Sequence, residues 1–142
     1  MDCRYNRRSV LLAVAATFAA FATRVRAAAA EHREFIEAAF RMKAEASRAG
    51  DQPYGAVLVM GGRIVGFGPS RVVVKADATA HAEREAMREA QARLGRRALS
   101  GAVLYSTSRP CPQCEAAAFE ADIARMVCGR DAIDAGRPRR AP

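Results

Sequence analysis

The chain has 142 residues, 51% hydrophobic and 27% charged, which leaves room for one domain and excludes a disordered polymer. Four cysteines are too few for a disulfide scaffold, and with no Trp and 6% aromatics the core must be built from alanine and aliphatic side chains. A net charge of +8 would ordinarily suggest an acidic partner such as nucleic acid, but residues 1–30 hold +4 of it and residues 135–142 another +3, leaving +1 on residues 31–134.

The first thirty residues read as an address. Paired Arg7-Arg8 precede an apolar run of about 15 residues, and Ala27 to Ala30 supply a small-residue site, the pattern of a signal peptide. The arginine pair points to the twin-arginine route. The apolar run falls short of the about 20 residues a bilayer span requires. We expect cleavage near Ala29 or Ala30, a periplasmic or otherwise exported protein, and no stable membrane span afterwards. An uncleaved signal acting as a membrane anchor is the alternative.

Residues 31–49 follow helical spacing through Phe35, Ile36, Ala39 and Phe40, with Gly50 as the stop. Ala56-Val57-Leu58-Val59-Met60 and Arg63-Ile64-Val65-Gly66-Phe67 flank Gly61-Gly62, a strong hairpin signal. Residues 69–78 read as a loop. A helix is predicted from Thr79 to about Leu94, on the four-residue recurrence of Ala82, Ala86, Ala90 and Leu94, with Gly95 ending it. Val103-Leu104-Tyr105 reads as a buried strand, Cys111 to about Ala121 as a helix, and Arg125-Met126-Val127-Cys128 as a fourth strand. From Asp131 onward little remains to bury. The order helix–strand–strand–helix–strand–helix–strand argues for an α/β sandwich with one mixed sheet.

Two short segments carry chemistry: Thr79-Ala80-His81-Ala82-Glu83 and Arg109-Pro110-Cys111-Pro112-Gln113-Cys114. Two cysteines three apart at a helix start project to one side, where backbone N–H groups favour thiolates. They form half of a Zn²⁺ site. His81 is the candidate third ligand, since it too begins a helix and the other histidine, His32, lies beside the expected cleavage point. Three protein ligands leave the fourth tetrahedral position to water, as in catalytic zinc sites. Glu83, two residues beyond His81, is placed to move protons without ligating the metal. The His-x-Glu … Pro-Cys-x-x-Cys pairing is the signature of zinc deaminases. Each half alone is weak. A lone Cys-x-x-Cys also fits a redox pair, and a structural zinc site would require a fourth Cys or His.

On these residues the chain resembles the cytidine/deoxycytidylate deaminase superfamily, on the branch of guanine deaminases and tRNA adenosine deaminases, over about residues 33–130. Pro53-Tyr54-Gly55-Ala56-Val57, Asp77 to Glu83 and Ile123-Ala124-Arg125 are similar to segments of that branch. The resemblance implies a three-layer α/β/α sandwich, C-terminally short with about four strands. Residues 31–134 would form the deaminase domain and 135–142 a basic flexible tail. It implies His81, Cys111 and Cys114 as ligands of one Zn²⁺ and Glu83 as the catalytic proton shuttle. The Gly55-Ala56 segment and the Ala82 backbone would line the base pocket. Ser70 stands where the family usually has a base-binding Asn, and Arg109 where it usually has Glu. The implied reaction is hydrolytic loss of ammonia from an amidine carbon of a free base or nucleoside, with guanine the first choice. A non-catalytic zinc-binding member, an adenosine- or cytosine-type deaminase and a Cys-x-x-Cys redox protein stay open. The expected partners are a small-molecule base, not nucleic acid, and a second copy of the chain in a homodimer.

Overall fold

A computed structural model describes residues 32–140. The expected signal, with Arg7, Arg8 and the cleavage point, lies outside these residues. The chain divides after His32, and the elements below belong to the second unit, Arg33–Pro142. No helix among the described residues is long and apolar enough to cross a membrane.

Helix α1 covers residues 32–48 and buries Phe35, Ile36, Ala38, Ala39 and Ala46 along one face. Strands β1 (Gly55–Met60) and β2 (Arg63–Pro69) form the hairpin that Gly61-Gly62 predicts. Both glycines take positive φ, +57° and +72°, which a two-residue turn matched to strand twist demands. Next come α2 (Ala82–Leu94), β3 (Val103–Ser106), α3 (Pro112–Glu120), β4 (Arg125–Cys128) and β5 (Ile133–Gly136). The sheet order is β2-β1-β3-β4-β5, with β3 and β4 parallel and the other pairs antiparallel.

Alternation along the strands sorts the core into two layers. Ala56, Leu58, Leu104 and Met126 meet α2 and α3 on one face. Val57, Val59, Tyr105 and Val127 meet Phe35 and Ile36 of α1 on the other. The result is the expected α/β/α sandwich about a mixed sheet. Fully buried Leu58 and Leu104 each contribute about 1.5–3 kcal/mol of apolar burial.

Small residues set the spacing between layers. A Cβ on Gly55 would stand 2.2 Å from Ala39 O and Lys43 N of α1. On Gly68 it would stand 2.0 Å from Ala82 O, and on Gly66 2.1 Å from Ala86 O. The buried alanine row Ala82, Ala86, Ala90 therefore lies directly on the glycines of β2.

Three expectations are corrected. The sheet has five strands rather than about four. Residues 135–142 do not begin as a free tail, because β5 crosses position 135 and pairs with β4. Sequence gave no hydrophobic signal for β5, whose Ile133 is 59% exposed; backbone pairing holds it, after a reversal in which Gly129 and Ala132 take positive φ. Helix α2 starts at Ala82, not Thr79, because Asp77 accepts from both the N–H and the hydroxyl of Thr79 and fixes a turn there.

Candidate active site

Strand direction brings the two chemical segments together. Strand β1 runs antiparallel to both β2 and β3, so those two strands finish at the same edge, Pro69 opposite Gly55 and Ser106 opposite Ala56. The segments leaving that edge lead to the starts of α2 and α3. His81 is the N-cap of α2 and Cys111 the N-cap of α3, both in extended backbone. The Cys111 sulfur accepts from the Cys114 N–H, which turns both sulfurs towards His81.

His81 Nδ1 lies 3.6 Å from Cys111 Sγ and 3.4 Å from Cys114 Sγ. Tetrahedral zinc with Zn–N near 2.0 Å and Zn–S near 2.3 Å requires N···S edges of about 3.5 Å, so the trio fits the ion. Among the described residues these three form the one cluster of His, Cys, Asp or Glu able to hold a metal. The donor chemistry agrees. Burial pushes the Cys114 thiol far up, and the Glu83 carboxylate and Cys111 add to that. A divalent cation is what would stabilise thiolates in such surroundings. Cys128, at the end of β4, is buried and is not part of the cluster.

Glu83 is 7% exposed, and its Oε2 lies 3.7 Å from Cys114 Sγ. Burial raises its carboxyl above the ordinary value, against the smaller lowering influences of its own N–H, His81 and Cys114. His81, Glu83 and Cys111 open onto a cleft of about 420 Å³, as do Ala82 and Ser70. Gly55 and Ala56 are placed differently. The Gly55 N–H donates to Thr107 Oγ1 at 3.2 Å, and Ala56 packs into the core, while Gln52 and Tyr54 line the cleft just before them. Arg109 lines the cleft too and is exposed.

Asp51 is a residue that sequence reasoning missed. Its Oδ1 accepts from the Ser70 hydroxyl at 2.9 Å and the Gln52 N–H at 2.8 Å. Its Oδ2 accepts from the Val73 and Val74 N–H groups at 2.9 and 2.8 Å. Burial would raise its pKa, but these four donors outweigh that and hold the carboxyl below the ordinary carboxylate range. The loop is closed by the Arg71 N–H donating to Ala80 O, immediately before His81. Lys75 and Arg88 then clamp Glu85 of α2 at 2.5 and 2.7 Å. Ser70 is therefore 1% exposed with its proton committed to Asp51. An aspartate after a helix-ending glycine looks like an ordinary turn residue, so no local pattern marked it.

The comparisons agree with this geometry. The model of the cytidine and deoxycytidylate deaminase zinc-binding region matches residues 29–130. A tRNA-specific adenosine deaminase of Agrobacterium fabrum is 40% identical over 100 residues, covering 70% of this chain and 66% of the relative. A guanine deaminase of Bacillus subtilis is 38% identical over 89 residues, covering 62% of this chain and 57% of the relative. The solved structure of guanine deaminase from Bacillus subtilis superposes with a TM-score of 0.67 at 35% identity, over 69% of this chain and 63% of that one. The chain thus spans two thirds or less of the length of each. On the matched segment, the zinc-compatible trio and the shared sandwich, the chain belongs to the cytidine and deoxycytidylate deaminase zinc-binding family.

Proposed function

We propose that this chain catalyses the hydrolytic deamination of an amino-bearing nucleobase or nucleoside, with a guanine-type ring as the first substrate. The observation that carries the reading is His81 Nδ1 at 3.4 and 3.6 Å from two cysteine sulfurs, beside buried Glu83, on one cleft. When bound by His81, Cys111 and Cys114, zinc supplies a Lewis acid that acidifies water at neutral pH. Glu83 takes a proton from the attacking water at its carboxylate and passes it to the ring nitrogen of the amidine, then carries the proton of the new hydroxyl to the departing amino nitrogen. Water adds to the amidine carbon, the C–N bond breaks and ammonia leaves. Gln52 and Tyr54 line the mouth, and Ala82 presents its backbone to the base.

A free base or nucleoside is favoured over tRNA by the +1 charge of residues 31–134. The test is ammonia release from a panel of bases and nucleosides by the zinc-loaded chain. Glu83→Gln should retain one zinc per chain and lose about 10²–10⁴ in rate. Unchanged turnover would remove the role given to Glu83, and no turnover on any substrate would favour a non-catalytic zinc protein. Two further readings belong to the same proposal. Export by the twin-arginine route rests on Arg7, Arg8 and the alanine run. A homodimer rests on α3, whose Phe119 is 46% exposed, whereas Ile123 just beyond the helix is in the core.

A further inference from the structure

Ser70 lines the cleft with no hydrogen left to give. Its N–H donates to Tyr54 O at 3.1 Å and its hydroxyl to Asp51 Oδ1 at 2.9 Å. The direction of the second bond is fixed by what else Asp51 holds. Its Oδ1 also takes the Gln52 N–H, and its Oδ2 takes the N–H groups of Val73 and Val74. Burial opposes the charge on Asp51, which is 8% exposed, but these bonds keep it ionised. An ionised carboxylate only accepts, so the one proton of the Ser70 hydroxyl must point to it. What remains on Ser70 Oγ is lone pairs. Ser70 is 1% exposed and shares the cleft with Tyr54, His81, Ala82 and Glu83. A ligand that reaches the cleft floor therefore meets an oxygen that accepts and cannot donate.

Resting on the deaminase reading above, we infer that Asp51 is a positioning residue that fixes Ser70 as a one-way acceptor, so that the cleft selects a purine presenting an N–H or amino hydrogen to Ser70 Oγ. A guanine-type ring carries such hydrogens on both its lactam and its imidazole edge. A ring that brings a bare nitrogen or a carbonyl oxygen there sets lone pairs face to face at a buried position, and neither side finds a donor. A site built to hydrogen-bond a substrate N–H rejects an analogue lacking it far better than an apolar pocket rejects an isostere. One substitution should invert this polarity. In Asp51→Asn the N–H groups of Val73 and Val74 both require the amide oxygen, which turns the amide NH2 towards Ser70. Ser70 Oγ then accepts from that amide, and its own proton is released to the cleft.

The experiment measures, by calorimetry, the binding of two shape-matched purine pairs to the zinc-loaded full chain. Guanine and 2,6-diaminopurine exchange donor and acceptor along one edge. 7-Deazaguanine and 9-deazaguanine carry their ring N–H at opposite corners of the five-membered ring. Within at least one pair the affinities should differ about tenfold, the scale of one buried hydrogen bond left unmade. Ser70→Ala deletes one hydroxyl and leaves Asp51 its three backbone donors, and it should bring that ratio near one. Asp51→Asn should cancel or reverse it. A merely structural role for Asp51 would lower both affinities together and leave the ratio unmoved. Ratios near one for both pairs in the native chain overturn the inference. So does a preference that survives Ser70→Ala or is unchanged in Asp51→Asn, and so does failure of all four purines to bind. Turnover is followed separately, so the two readings fail separately. A chain that deaminates nothing but keeps a Ser70-dependent preference refutes the enzyme and retains the acceptor. A chain that deaminates guanine and shows no such preference does the reverse.

Discussion

Placing one methyl group on Gly68 would test how the sheet sets the site. The new Cβ would meet Ala82 O at 2.0 Å and Ala86 N at 2.5 Å, and ordinary van der Waals contact begins near 3.4 Å. The start of α2 must therefore retreat by about 1.4 Å, since backbone atoms cannot rotate away. Ala82 lies between His81 and Glu83, so both move with it. Overpacking of this kind costs about 1–3 kcal/mol of stability. An ångström of misplacement at the chemistry costs roughly 100-fold in rate. Gly66→Ala is the control. Its Cβ would meet Ala86 O at 2.1 Å, a turn further along α2, at a similar stability cost but away from His81. Urea denaturation should show comparable losses for both variants. Chelator competition should show zinc affinity falling about 10- to 100-fold for Gly68→Ala and much less for Gly66→Ala. Equal zinc affinity in the two variants would refute the argument that β2 positions the ligand through the first turn of α2.

Asp51→Asn removes an ionised acceptor from the loop before His81. The native carboxyl is held below 3.8 by its four donors, so its contribution is complete above that pH and is lost as pH falls through the depressed value. The stability gap between native protein and variant should therefore be widest at neutral pH and shrink in acid, as read by urea midpoints. Chelation should lower thermal stability, because zinc at a hundredfold over its dissociation constant contributes about 2.7 kcal/mol; a melting temperature indifferent to chelator would argue against a bound ion at His81, Cys111 and Cys114. Replacing Arg7 and Arg8 with Lys should retain the protein in the cytosol, as cell fractionation would show, and undiminished export would exclude the twin-arginine route. Sedimentation at micromolar concentration should give twice the chain mass, and a monomer would exclude the homodimer.

Much of the site was legible in the sequence because its parts are local. Cys111 and Cys114 belong to one turn, Pro112 suits the first position of that helix, and His81 and Glu83 are two residues apart. The hairpin was equally readable, since two adjacent glycines with positive φ leave few alternatives. Legibility failed where the cause was a distant backbone or side-chain partner. Asp77 delayed the start of α2, and β5 formed through ladder bonds although Ile133 is exposed.

Residue type and spacing by themselves determined the metal-binding chemistry, the sandwich class and the separation of charge into terminal blocks around a near-neutral body. Tertiary structure alone decided that His81 stands 3.4 Å from Cys114, because that distance depends on β2 and β3 ending at one sheet edge. It also decided that Ser70 gives its proton to Asp51, and that Arg139 is held on the ligand-bearing helix by Glu115. Hydrogen bonds spanning 19 and 24 residues leave no periodic trace in a chain, so only folding reveals them.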